Sequence, residues 1–473
     1  MSDRRMLHVL SVTTIASFLA GINARIVVVG LPLIAHFLGA DVEQALWFTQ
    51  AFMLGSTAIQ LIVGRLSDMF GRVNLFSLGF GLFSATALLC GLSSDPVHMI
   101  AFRFLQGIGA AFLMSLSLTI IADNSPKESV GTWIGVNQVA FRLGSLLGLT
   151  LGGIIIDLMG WRWVFWIYVP LGFISVFWSK KRLEEVFRPK EKPKIDLIGF
   201  ILFTISVSLM LVSLTYASYP NSAGLSSSLA LASLVMLIFF VIWELRFPSP
   251  ALDLRIFKIW QFSGGIIAQL LYAIAFGATT VLLVVYLEII RGLSPSATGL
   301  LLIPYELSFL VFGVMGGRLS DRYGYAPVAL AGLALSSASL YLMSKLSIDT
   351  PLQIAVIYML LLGMGTGLFT TPNASSIVMS TPPERRGVAS SMRTLSFNVG
   401  FAISLNLSML VMTQFIPYNI ASKLITEDYS GLGDIAKEVQ SLSFALSQTF
   451  KVQSVIMALA MIFSFSRLRK NLS

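Results

Sequence analysis

A polar string, GRLSDMFGR from Gly64 to Arg72, sits between two long apolar runs, and nearly the same string, GRLSDRYGY, returns from Gly317 to Tyr325. Each copy packs a carboxylate, a leading arginine and turn-forming glycines into too few residues to be anything but a tight hydrophilic turn. A turn used twice between apolar runs marks a duplicated helical bundle. Hydrophobic residues make up 56% of the chain and charged residues 12%, against roughly 25% charged in an average soluble domain. The bundle therefore lies in lipid, and the chain reads as an all-α, multi-pass membrane protein.

Several function classes drop out on context. The net charge of +9 is spread over short loops on alternate sides of apolar spans, as the positive-inside rule requires, and does not form a nucleic-acid patch. Cys90 is the single cysteine and lies in an apolar run, so neither a disulfide framework nor a cysteine metal site is available. His8, His36 and His98 are far apart in sequence, a poor basis for a metal site. The glycines of GMGTGL from Gly363 fall inside an apolar span with no βαβ pattern around them. No nucleophile and base constellation and no phosphate loop is found, so the expectation is no enzyme, no cofactor, no metal and no ATP drive.

A hydrocarbon core about 30 Å thick takes roughly 20 apolar residues per helix. On that ruler fourteen spans are predicted, near 7–37, 45–63, 75–91, 98–122, 131–156, 164–178, 197–216, 229–243, 262–287, 297–316, 327–342, 352–379, 388–413 and 452–465. The expected organisation is a six-helix bundle over 1–182, a cytoplasmic linker with two extra helices over 183–260, and a second six-helix bundle over 261–473. The opening MSDRRMLHVL begins like a signal peptide, but the following run is too long and lacks a small-residue cleavage site, so it is read as the first helix. Lys and Arg accumulate on one side, including Arg65, Arg72, the cluster 180–194, Arg318, Arg322, Arg385 and Arg386, which places both termini in the cytoplasm. Residues 414–451 read as an external loop, with room for a short surface helix.

The doubled turn carries a family resemblance. Gly64, Leu66, Asp68, Gly71 and Arg72 match G-x-L-x-D-x-x-G-R, and the second copy keeps Gly317, Leu319, Asp321 and Gly324 with Tyr325 in place of the arginine. The chain resembles the major facilitator superfamily. Fourteen spans, with IDLIGF opening the seventh, WELRFPSPALDLRIF after the eighth and WRWVFWIYVPLG before the sixth, are similar to the fourteen-span drug:proton antiporters. That resemblance implies a proton-driven multidrug or metabolite exporter of the plasma membrane, working by alternating access as a monomer among membrane lipids.

The resemblance also implies roles. Gly64, Asp68, Gly71 and Arg72, with Gly317, Asp321 and Gly324, would form a conformational gate. In it Asp68 would face the helix that starts near Gly387, and Arg72 would pair with Asp123. Gly144, Gly148, Gly152 and Gly153 leave a groove on one helix face for close packing. In the family this stretch contains a proline associated with antiport, and here that position is Leu149. Arg103, followed by Gln106, matches the fourth-span arginine tied to proton coupling.

Charges in mid-span carry the most weight, since each costs roughly 3 kcal/mol on insertion scales. Arg25, Arg103 and Arg142 lie well inside spans, so they must face a wet cavity or a partner. Asn23, Arg25, Gln106, Gln138 and Arg142 are the expected cavity wall. Where the family has an acid on the first span this chain has Asn23, which cannot titrate, so the expected proton carrier moves to Glu306 in the apolar stretch LLLIPYELSFLVFG. Desolvation is expected to raise its pKa toward the exchange range, unless a salt bridge to Arg25 or Arg142 fixes it. Glu288 lies near a membrane boundary, where it is expected to be less perturbed than Glu306, and Arg393 lies near the cytoplasmic end of its span, where snorkelling or structural pairing is expected. Three buried arginines against one buried carboxylate also leave open an organic-anion transporter of the same fold with a positive cavity.

Overall fold

The computed structural model describes residues 3–40, 42–126, 129–186, 196–217, 222–247, 250, 252, 254–293, 295–417 and 435–469. The regular elements assigned among them are all helical. They are α1 (Asp3–Leu38), α2 (Val42–Ala58), α3 (Gln60–Phe70), α4 (Arg72–Gly91), α5 (Pro96–Asn124), α6 (Val130–Met159), α7 (Trp163–Trp166), α8 (Val169–Arg182), α9 (Leu197–Tyr216) and α10 (Ala223–Arg246). The series continues with α11 (Trp260–Phe276), α12 (Thr279–Val285), α13 (Pro295–Tyr323), α14 (Tyr325–Met343), α15 (Leu352–Met379), α16 (Arg386–Met412) and α17 (Ile435–Arg469).

Twelve described helical segments are long and apolar enough to cross a membrane. Fourteen spans were expected, and the two outside the twelve have different histories. The expected span 45–63 is divided by Ile59 into α2 and α3, neither of them 18 residues long. The expected span 131–156 falls in α6, a 30-residue helix that carries Asn137, Gln138 and Arg142. A second correction concerns the expected external loop 414–451. Residues 435–451 instead belong to α17, because Leu442, Ala445, Leu446 and Phe450 repeat at helical spacing and are buried in a hydrophobic core.

The chain divides into two compact units. Unit 1 comprises residues 1–211, 229–263 and 374–395. Its core is built on Phe76, Phe80 and Phe83 of α4, Leu113 and Leu116 of α5, and Phe165 of α7. The helices approach closely because glycines face backbone. A Cβ at Gly148 of α6 would lie 2.7 Å from the Ile22 carbonyl oxygen of α1, and one at Gly109 of α5 would lie 2.6 Å from the Phe83 nitrogen of α4. Close backbone approach is what holds helices together where lipid removes the hydrophobic driving force.

Unit 2 comprises residues 212–228, 264–373 and 396–473, with Tyr272, Leu333, Leu340, Met359, Leu446 and Phe450 in its core. Its helices are less regular. The path of α11 breaks at Gly277, and the freed N–H of Ala278 donates to Ser404 Oγ of α16 at 2.9 Å. A π-helical turn follows over Tyr286–Ile290, and Pro304 and Pro372 sit inside α13 and α15. Irregular backbone at membrane depth is tolerated only where protein or a wet cavity satisfies it.

Candidate functional site

The doubled string was expected to be a tight turn throughout, but residues 64–70 close α3 and residues 317–323 close α13, so the turn itself narrows to Gly71 and Gly324, with the same local build in both places. Ser67 Oγ donates to the Gly64 carbonyl at 2.7 Å, and Ser320 Oγ donates to the Gly317 carbonyl at 2.7 Å. The leading helix ends, one glycine takes a positive φ of 92° at Gly71 or 87° at Gly324, and the next helix starts at once. Only glycine enters that region at little cost, which is why the motif fixes it. Asp321 is half-buried beside its copy of the turn. The side chain of Asp68 and the surroundings of Gly153 lie outside the described residues.

Around the first copy, three helices meet through charge. Arg72 forms an ion pair with Asp123 Oδ2, and Arg386 meets Asp123 Oδ1 at 3.1 Å. Arg72 also donates to the Pro383 carbonyl at 2.7 Å. Arg72 is 1% exposed, so these are desolvated, charge-assisted bonds of the strong kind. Gly64 lets α3 reach the start of α16: a Cβ there would fall 2.8 Å from Val388 Cα and 3.0 Å from the Gly387 carbonyl oxygen. Arg72 thus pairs with Asp123 and Gly64 lies against the start of α16, while the expected contact of Asp68 with that helix falls outside the described residues.

Deeper in unit 1, Arg103 is enclosed by neutral acceptors. Its guanidinium donates to Asn23 Oδ1 at 3.0 Å, to Gln106 Oε1 at 2.5 Å and to the Phe48 carbonyl at 2.9 Å, with the Phe52 ring 4.4 Å away. Tyr168 closes the network. Its hydroxyl donates to Asn23 Oδ1 at 3.0 Å and accepts from Gln106 Nε2 at 3.2 Å. Three helices, α1, α2 and α5, and the turn before α8 are tied together by one cation and its amides. Asn23 Nδ2 is buried and has no partner among the described residues, so this position is used as an acceptor only.

The other expected cavity residues are more scattered. Arg25 Nε donates to Ser145 Oγ at 3.3 Å, while Arg142 is buried and Gln138 half-buried on the same helix as Ser145. Gly144 and Gly148 pack α6 onto α1, and Gly152 is buried further along α6. In unit 2, Glu306 is 3% exposed on α13, two residues past Pro304, and Glu288 is half-buried in the π-helical turn.

Some residues of the site gave no sequence signal. Glu185, in a charged stretch that reads as solvated, receives the first two N–H groups of α4, from Arg72 at 2.9 Å and Val73 at 3.0 Å. Tyr168 and Arg386 join their networks only through tertiary packing. In unit 2, Arg467 donates to Asn373 Oδ1 at 2.7 Å, and Asn373 Nδ2 donates to the Gly265 carbonyl at 3.1 Å and to Gln269 Oε1 at 3.3 Å. Among the described residues there is no group of three or more His, Cys, Asp or Glu that could hold a metal ion.

Residues 13–286 and 265–421 match the family model described as Major Facilitator Superfamily. The chain belongs to the Major Facilitator Superfamily. A curated relative, the riboflavin transporter RibZ of Clostridioides difficile strain 630, is 29% identical over 89% of this chain and 91% of its own length. The multidrug transporter protein MdtP of Bacillus subtilis strain 168 is 28% identical over 87% of this chain and 76% of its own. Among solved structures, the proton:xylose symporter XylE superposes with a TM-score of 0.68 at 13% identity, covering 98% of this chain and 96% of that one. That likeness is one of fold. As a member of this superfamily the chain is a multi-pass membrane transporter and not an enzyme.

Proposed function

We propose that this transporter exports small organic molecules, drugs or metabolites, across the plasma membrane by alternating access, in exchange for protons. The observation that carries the reading is the cluster in which Asp123 holds both Arg72 and Arg386 while Arg72 also reaches Pro383. A buried set of charge-assisted bonds joining α4, α5 and the start of α16 has two well-defined conditions, made and broken, and a switch between two states needs such an element. The first turns of α16, through residue 395, belong to unit 1, so the ion pairs and the helix start that they hold lie in the same unit.

Glu306 is the proposed proton carrier, being a buried carboxylate on a helix that carries Pro304 in its interior. Arg103, with Asn23, Gln106 and Tyr168, holds a fixed positive charge that a passing proton or substrate must meet; Arg25, Gln138 and Arg142 are proposed to line the same route. The proposal retains fourteen crossings in bundles over 1–182 and 261–473 with two extra helices over 183–260, and a monomer as the working unit. At 1.5 Å per residue, the 30 residues of α6, and α2 continued by α3, are each long enough for a core about 30 Å thick. With these crossings, α1 begins and α17 ends on the cytoplasmic side. The homologous riboflavin and multidrug transporters support a small organic cargo.

The test is flux in proteoliposomes with an imposed pH gradient, read with a fluorescent drug and with riboflavin. The expected result is accumulation driven by the gradient and abolished in Glu306→Gln. Gradient-driven flux that persists undiminished in Glu306→Gln removes the proton role of that residue, and flux indifferent to the gradient in the unaltered protein removes proton coupling.

A further inference from the structure

Arg386 and Arg393 stand seven residues apart on α16, hence on one stripe of that helix. Arg386 has its counter-charge in Asp123. Arg393 has none: among the described residues it makes no hydrogen bond, ion pair or ring contact, its Nε is fully shut from solvent, and only 7% of the residue is exposed. A guanidinium desolvated without a counter-charge is among the most costly arrangements a chain can hold. An anion bound there would supply the missing counter-charge.

Hydrogen bonds fix the level at which Arg393 lies. Ser115 Oγ of α5 is 2.7 Å from Ser391 Oγ, and the Ser115 carbonyl accepts from Ser390 Oγ at 2.7 Å. Thr119, one turn further along α5, meets the Arg386 carbonyl at 3.5 Å, so α5 and α16 run antiparallel. On the other side of α5, Ser117 Oγ donates to Asn137 Oδ1 of α6 at 3.2 Å. Counting back along α5 brings Arg393 and Arg142 both about level with Phe112, near the middle of that helix. No acid lies at that level on these helices or on α1: α1 has none after Asp3, α5 none before Asp123, α6 none before Asp157, and α16 none at all.

We propose that Arg393 anchors the anionic group of the transported molecule, with the charge of Arg142 at the same depth, so that the substrate class is a small organic anion bearing a carboxylate or phosphate. This rests on reading the chain as an exporter, but it is tested by binding, which needs neither flux nor a gradient. Guanidinium is suited to the task because its planar fork matches two oxygens of a carboxylate or phosphate, and the neutral hydroxyls of Ser390 and Thr394 are already engaged with backbone carbonyls.

The experiment measures binding to the purified full chain in detergent with matched aromatic probes: 2-naphthoate and 2-naphthyl phosphate as anions, 2-naphthamide as the neutral counterpart. The unaltered protein is expected to prefer an anion over the amide by about tenfold or more, and the preferred anion separates carboxylate from phosphate recognition. Arg393→Gln is expected to weaken that anion by roughly 30-fold and leave the amide unchanged, with Arg393→Lys in between. Because Arg393 has no partner to lose, Arg393→Gln without ligand is expected to melt at or above the temperature of the unaltered protein. Equal affinity for anion and amide in the unaltered protein overturns the proposal. So does an Arg393→Gln variant that melts lower and weakens all three probes alike, which is the behaviour of a structural residue.

Discussion

Arg103 lies 3.0 Å from Asn23 Oδ1, the same oxygen to which Tyr168 donates, while the Asn23 amide nitrogen faces no acceptor among the described residues. A residue used twice as an acceptor and never as a donor is better filled by a carboxylate than by an amide. Asn23→Asp is therefore expected to raise the thermal midpoint of the detergent-purified protein, since it removes a buried unsatisfied donor and gives Arg103 a counter-charge. Asn23→Leu is expected to lower it, by about 2 kcal/mol, because it strands two donors at once. Melting curves of the two variants check the sign of each; a stabilised Asn23→Leu would contradict the network.

Asp123 is shared by two arginines, so its removal leaves two cations behind. Asp123→Asn keeps the shape and deletes the charge, and breaking a buried pair of this kind costs about 3–5 kcal/mol. Freed of that cluster, the first turns of α16 are expected to loosen from α5. A cysteine placed at Ser391, which sits 2.7 Å from Ser115, then becomes accessible: its alkylation rate should rise at least ~10-fold in the Asp123→Asn background, an opening free energy lowered by 1.4 kcal/mol or more. An unchanged rate would show that the ion pairs do not hold α16.

These two networks also show what a linear sequence can and cannot disclose. The turns at Gly71 and Gly324 were legible because their chemistry is local: a glycine at positive φ between two helices leaves a string that repeats. The Arg72 and Asp123 pair was anticipated only through the family resemblance that the repeated string carries, and no spacing along the chain singles it out. Ile59 was not, since nothing in the apolar run around it signals a break between α2 and α3. Residues 435–451 misread as loop because Lys437, Glu438 and Lys451 mask a buried stripe that only the core of unit 2 defines. The fates of Arg103, enclosed by amides, and of Arg393, left without partners among the described residues, are decided by packing between helices, and no spacing along one helix records that.

The two copies of the turn make an internal control for Glu185. Both glycines have positive φ, so alanine at either strains the backbone by roughly 1–2 kcal/mol. At Gly324 the nearest atom to a new Cβ is Pro327 Cδ at 3.9 Å, whereas at Gly71 it is Glu185 Oε2 at 2.6 Å. Gly71→Ala should therefore displace the carboxylate that caps α4 and lose about 1 kcal/mol more than Gly324→Ala. Glu185→Gln, which keeps the acceptor but removes the charge at the positive end of α4, should lose about half to 1 kcal/mol. Thermal midpoints of the three variants rank the terms, and equal losses for the two glycines would mean that Glu185 contributes no cap.

Arg467 gives the last prediction, and it separates pairing from packing. The residue is 1% exposed, and a Cβ at Gly264 would touch its Cγ and Cδ at 3.0 Å, so its stem is held as tightly as its head. Asn373→Leu removes the acceptor 2.7 Å from the guanidinium and is expected to cost about 2–3 kcal/mol, because the cation stays buried and loses a bond. Arg467→Met alone leaves Asn373 bound to the Gly265 carbonyl and Gln269 and should cost less. Combined, the two apolar replacements should recover most of the loss seen in Asn373→Leu, since a buried charge with its partner removed is worse than no charge. A double variant as unstable as the sum of the singles would mean that the guanidinium and the amide act independently, and that the stem of Arg467, not its charge, is what unit 2 requires.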